Sequence, residues 1–178
     1  MAPNKWNSKP YICGMKKSLN LVYDVLPDMA SLGPDQLHCL EKAIEGLSRS
    51  YAPYSEFRVS AAVELHDGTI VLGSNQENMA YPSGLCAERV AFFNAASTFP
   101  NKKIKRVAIT AQTDKKVLDN PISPCGACRQ VMLEYELNQE AGIEVILFGN
   151  TGQVFVIQEV KDLLPLHFFE AHLKQPGN

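Results

Sequence analysis

Two cysteine-bearing segments constrain this chain more than any other feature. They are Ser83-Gly84-Leu85-Cys86-Ala87-Glu88-Arg89 and Ser123-Pro124-Cys125-Gly126-Ala127-Cys128-Arg129-Gln130. Each sits where a polar loop gives way to a helical pattern. Ser123 suits an N-cap and Pro124 the first helical position. Cys125 and Cys128, three apart, then share one face of a first turn, where free N–H groups and the helix dipole favour thiolates. Gly126 suits close approach of backbone to a metal. Two thiolates do not fill a zinc shell, and Cys86 supplies a third from the start of the other helix. Three protein ligands leave the fourth position to water, the open arrangement of a catalytic zinc. Glu88, two residues after Cys86, is near enough to touch that water. Three thiolates leave the zinc with one net negative charge, which Arg89 or Arg129 offsets by bonding the sulfurs.

A Cys-x-x-Cys pair alone also suits a structural zinc site or a redox pair. Cys13 or Cys39 would close a four-cysteine site. Cys39 lies among apolar neighbours at helical spacing and reads better as core.

The chain has 178 residues, which suggests one domain and an adequate core without disulfides. Its net charge of −2 gives no large electrostatic footprint for DNA or long RNA. No apolar run is long enough for a membrane span. Lys5, Lys9, Lys16, Lys17 and Asp24 interrupt any signal-peptide core. A cytoplasmic protein with reduced cysteines is expected, and an odd total of five fits that expectation.

Residues 1–30 read as an N-terminal extension, with or without a short strand at Leu19–Leu26, and residues 31–178 as one catalytic domain. Pro34 and Asp35 open a helix carrying Leu37, Leu40, Ile44 and Leu47. From Phe57 the period becomes two: Phe57, Val59, Ala61, Val63 and Leu65 alternate with the intervening residues. Asp67-Gly68 signals a hairpin, with its return strand over Thr69–Gly73. Helices are expected at Cys86–Ser97 and Pro124–Leu137, and strands at Ile104–Thr110, Ile143–Phe148 and Gln153–Gln158. Two short helical pieces split by Pro165 end the chain. About five strands alternating with helices imply an α/β fold, a mixed sheet covered on both faces.

Cys86-Ala87-Glu88-Arg89 followed by Pro124-Cys125-Gly126-Ala127-Cys128-Arg129-Gln130 resembles the small, homotetrameric cytidine deaminases, which share the zinc-deaminase signature with its non-ligand glutamate. The likeness runs from about Leu37 to the C-terminus. It includes Tyr51-Ala52-Pro53-Tyr54-Ser55-Glu56-Phe57, the run Asn75 to Asn78, and Leu163-Leu164-Pro165. It implies a three-layer α/β/α sandwich around a mixed five-stranded sheet, and a homotetramer whose active sites borrow residues from neighbouring subunits. It implies one zinc ion per subunit, held by Cys86, Cys125 and Cys128, with Glu88 as proton shuttle. Asn75 and Glu77 fall where the family binds ribose hydroxyls, Phe57 where a ring lines the pyrimidine pocket, and Phe168 where an aromatic caps the base. The Ala87 backbone falls beside the polar edge of the base. Without the resemblance, Asn75 and Glu77 read as loop polars and the two phenylalanines as packing residues. Arg58 and Ser60 stand where the family usually has Pro and Gly, so each bears on the pocket wall or on assembly.

The implied reaction is hydrolysis of cytidine or deoxycytidine to the uracil nucleoside and ammonia, a step of pyrimidine salvage. Deamination of a cytosine-bearing antibiotic, as by blasticidin S deaminases, keeps the chemistry and changes the substrate. A non-catalytic zinc-stabilised module is the other class, and it requires Cys13 or Cys39 as a fourth ligand. A polynucleotide editor is disfavoured by the acidic balance.

Overall fold

The structure, a computed structural model, describes residues 15–169. The alternating segment is the strand β2 (Phe57–Leu65), which turns back through Asp67-Gly68 into β3 (Ile70–Ser74). Gly68 takes φ +85°, and the Asp67 side chain accepts from Thr69 N at 3.0 Å, so both residues serve the tight turn. The other strands are β1 (Asp24–Leu26), β4 (Ile104–Thr113), β5 (Glu144–Phe148) and β6 (Val154–Ile157). They form one mixed sheet in the order β1-β6-β5-β4-β2-β3. β2 is antiparallel to β3 and β4, and β4 and β5 are parallel.

Among the described residues three α-helices cover the sheet: α1 (Pro34–Gly46), α2 (Ala87–Thr98) and α3 (Gly126–Gln139). α1 lies on one face and buries Cys39, Leu40 and Ala43 against Ala62, Ala108 and Ile146. On the other face Ala91 and Phe92 of α2 and Met132 and Leu133 of α3 pack on Val63, Val107, Ile109 and Val145. The period of two in β2 sorts its side chains between these cores. The result is the expected three-layer α/β/α sandwich.

The sheet has six strands rather than five. The additional one, β1, pairs antiparallel with β6 over three residues and covers that strand's edge. The Tyr23 ring lies 5.0 Å from that of Phe155. Such a short strand has no period of its own to read. Of the two C-terminal helical pieces expected, the first is a 3₁₀ turn at Val160–Leu163. Residues 166–169 are not helical, and those beyond lie outside the described residues. Among the described residues no helix is long and apolar enough to cross a membrane.

Candidate active site

Topology brings the two cysteine segments together. β3 and β4 run the same way on either side of β2. Each leads into a helix on the same sheet face, so α2 and α3 both begin at the carboxyl end of these strands, where open α/β sheets place their ligands. Gly73 in β3 lets α2 press onto the sheet: a Cβ there would lie 2.2 Å from Ala91 N and 2.5 Å from Ala87 O. Gly126 shows no comparable need, since a Cβ on it meets no protein atom within 4 Å.

Cys86 is the N-cap of α2 and Cys125 that of α3, both with extended backbone. Cys128 follows in the first turn of α3. The sulfurs of Cys86 and Cys125 are 3.9 Å apart and those of Cys125 and Cys128 3.4 Å, with all three ligand atoms within 4.8 Å of one another. Tetrahedral zinc with bonds of about 2.3 Å sets sulfurs about 3.8 Å apart, so this thiol set fits the ion. Cys39 is excluded as a fourth ligand. It sits under α1 on the opposite face of the sheet, donates to Ala62 O at 3.5 Å, and burial pushes its thiol up to about 12. Cys13 lies outside the described residues. Among the described residues the cluster therefore has three protein ligands.

Charge in the cluster is unevenly held. The Cys86 thiol is drawn down to about 5 by the hydrogen bond from Cys128, and Arg89 assists with Nη2 at 3.7 Å from the sulfur. Cys128 moves the opposite way because it donates that bond. Metal binding displaces such a shared proton. Arg89 Nε is buried without a protein partner. Arg129, expected beside the sulfurs, instead donates to the carbonyls of Pro124 and Leu163, both at 2.9 Å. It braces the backbone just before Cys125. Glu88 is only 5% exposed, and burial raises its carboxyl above the ordinary carboxylate range.

A cavity of about 600 Å³ opens over the cluster. Asn75, Glu77, Cys86, Ala87, Glu88 and Cys125 all line it, as do Tyr54, Ser55 and Ser123. Asn75 Oδ1 accepts from Val59 N and its Nδ2 donates to Phe57 O, both at 2.9 Å. Phe57, the first residue of β2, reaches the site through that carbonyl, and its side chain is not part of the lining. Phe168 is 72% exposed, its carbonyl accepting from Gln130 Nε2 at 3.2 Å. In the sequence Tyr54 and Ser55 stand out only as part of a family run, because partners of Glu77 that lie 23 and 22 residues away leave no local signal.

Ser60 does not crowd the cavity. It is fully buried on the α1 face, beside Gly46, and donates to Gly73 O at 3.3 Å. Arg58 forms a two-oxygen contact with Asp114 at 2.7 and 2.8 Å on the surface.

A family model described as the cytidine and deoxycytidylate deaminase zinc-binding region matches residues 35–140. The chain belongs to this deaminase family. The matched span holds all three thiols and Glu88, and the ion these thiols bind is zinc. A cytidine deaminase of Halalkalibacterium halodurans is 40% identical over 131 residues, 74% of this chain and 92% of that one. One from Sporosarcina psychrophila is 48% identical over 87 residues, 49% of this chain and 60% of the relative. The crystal structure of cytidine deaminase from Burkholderia pseudomallei is similar at a TM-score of 0.64 and 38% identity, covering 74% of this chain and 97% of that chain. The zinc deaminase assignment thus rests on fold, family and ligand geometry together.

Proposed function

We propose that this deaminase hydrolyses the exocyclic amine of cytidine or deoxycytidine. Water supplies the oxygen that replaces nitrogen at C4, and ammonia and the uracil nucleoside leave. One observation carries the reading: a cluster of three thiols lies at a nucleoside-sized cavity that two of them, Cys86 and Cys125, line together with the buried carboxyl of Glu88. When bound, the zinc ion supplies Lewis acidity that brings the pKa of water down toward neutrality. Glu88 accepts one proton from the attacking water and delivers it to N3 of the ring, then takes the second proton from the oxygen now on C4 and delivers it to the departing amine. Its raised pKa suits a group that must both take and return a proton near neutral pH. The backbone of Ala87 meets the polar edge of the base. Asn75, with each end of its amide already fixed by β2 backbone, and Glu77 meet the sugar hydroxyls.

The same proposal includes a homotetramer in the cytoplasm, where the thiols stay reduced. Residues 31–178 form the catalytic domain and residues 1–30 an extension whose end, Asp24–Leu26, joins the sheet. Phe168 is assigned to the base from a neighbouring subunit, while Phe57, whose side chain lies outside the cavity lining, serves the site by holding Asn75 through its carbonyl. The exposure of Phe168, Tyr81 and Met79 supports a protein surface covered by another copy.

The test is the ultraviolet absorbance change on mixing purified protein with cytidine or deoxycytidine, with the Glu88→Ala variant beside it. Loss of the cytosine signal with wild type alone, at equal zinc content, is the expected result. No turnover of either nucleoside by zinc-loaded wild type would overturn it.

A further inference from the structure

Glu77 is held by more bonds than a loop carboxylate needs. Its Oε2 accepts from Tyr54 N at 2.9 Å and Ser55 N at 3.3 Å, and its Oε1 accepts from the Ser55 hydroxyl. Its own N–H donates to Tyr51 O at 2.8 Å. The Ser55 hydroxyl is itself oriented, because Ser55 Oγ accepts from Phe57 N at 3.0 Å. With its lone pair facing that N–H, the hydroxyl proton points to Glu77. The turn carrying these donors is tight: Glu56 N donates to Ala52 O at 3.1 Å, and Glu56 takes φ +56°. A carboxylate offers about four acceptor positions. Three are occupied by this turn, and the remaining one is on Oε1, at the cavity wall that Glu77 and Ser55 share.

We infer that Ser55 is the positioning residue that aims Glu77 at the sugar of the substrate and leaves it a single open position for one hydroxyl. This rests on the reading above, in which Glu77 meets the sugar. The Ser55 hydroxyl is taken up by Glu77 and Phe57 N and makes no bond to the thiols, so its effect falls on binding of one hydroxyl and not on the chemical step. The bond from Ser55 also holds the Glu77 carboxyl below the usual carboxylate range, which keeps it an acceptor as pH falls.

Steady-state kinetics of the zinc-loaded enzyme test this, using cytidine and 2′,3′-dideoxycytidine as substrates or competing ligands. Ser55→Ala is expected to raise KM for cytidine about tenfold, the cost of one misplaced hydrogen bond to a charged group, with kcat little changed. The acid-side rise in KM moves to higher pH in the same variant. Ser55→Thr, which keeps the hydroxyl, restores most of the affinity. Binding of dideoxycytidine is the same in wild type and variants. An unchanged cytidine KM in Ser55→Ala, where Glu77→Gln raises it, would overturn the role of Ser55 and leave the sugar reading intact. An equal loss on the dideoxy compound makes Ser55 merely structural and also overturns it. If Glu77→Gln weakens neither ligand, or both alike, the sugar reading falls and this inference with it.

Discussion

Gly46 and Ser60 are matched across the interface between α1 and the sheet: a Cβ on residue 46 would lie 2.2 Å from Ser60 Oγ. The pair explains how a polar residue fits on a fully buried strand position without disturbing the active site on the other face. Gly46→Ala is expected to destabilise the fold by about 2 kcal/mol through overpacking. The same change made together with Ser60→Gly should cost less than half of that, because the clash is gone. Urea unfolding of the four proteins in this cycle measures the coupling, and simple additivity would refute the match.

Glu88 is buried two residues after Cys86, and its carboxyl bonds to the Cys128 thiol of the metal cluster rather than to the framework of the sheet, so its removal should spare the fold. Glu88→Ala is expected to keep one zinc per chain and lose about a thousandfold or more in turnover. Zinc analysis run beside the rate decides between a proton carrier and a ligand. A variant that stays active removes Glu88 from the mechanism, and one that loses the ion makes it part of the shell.

Cys86 is the sole thiol from α2, and the two from α3 cannot alone hold the ion tightly. Cys86→Ala should lose zinc on dialysis against a mild chelator that leaves wild type loaded. Because Cys86 is half-buried and belongs to neither hydrophobic core, far-ultraviolet circular dichroism should remain native. Full zinc retention by the variant would exclude Cys86 as a ligand.

The metal site was legible because it is local twice over. Cys125 and Cys128 lie within one helical turn, Cys86 and Glu88 within another, and the loop-to-helix signals place both. β2 was legible for the same reason, since Val59 to Leu65 alternate and Asp67-Gly68 closes the hairpin. What the sequence hid depends on partners far along the chain. The sequence leaves a short strand within Leu19–Leu26 open, but its bounds, Asp24–Leu26, and its place beside β6 depend on the edge that β6 offers. The direction of Arg129 depends on Leu163, and the burial of Ser60 on Gly46. None of these leaves a periodic trace. The restraint of Glu77 by Ser55 is the same kind of case, visible only once two loops meet.

The Asp67 carboxyl, which closes the hairpin, is held down to about 2 by the hydrogen bond from Lys102 and by Thr69 N. A carboxyl with a depressed folded pKa stabilises the fold above its unfolded value and loses that contribution as pH falls through the folded one. The window here runs from about pH 4 down to about pH 2. The group is fully exposed and its ion pair screened, so the contribution is small and should shrink in high salt. Asp67→Asn is expected to flatten the acid limb of the denaturation midpoint against pH. An acid limb identical to wild type would show that the turn does not depend on this charge.

Glu136 anchors the far end of α3. It is 4% exposed, and its two oxygens accept three backbone N–H groups: Ile143 at 2.8 Å, Val160 at 2.6 Å and Lys161 at 2.8 Å. One side chain thus fixes both the start of β5 and the first turn of the Val160–Leu163 segment, whose last carbonyl Arg129 holds. Glu136→Ala strands those donors away from water, at about 1–3 kcal/mol for each one left unsatisfied. A loss of about 4 kcal/mol in denaturant unfolding is expected, large for one residue and tied to buried donors rather than to packing volume. Glu136→Gln should recover only part of it, because its amide turns a donor toward donors. Zinc content should stay at one per chain in folded protein, since the thiols lie at the opposite end of α3. A loss below about 1 kcal/mol would mean that water or the backbone itself satisfies these groups, and that the C-terminal turn is held by Arg129 and its apolar contacts instead.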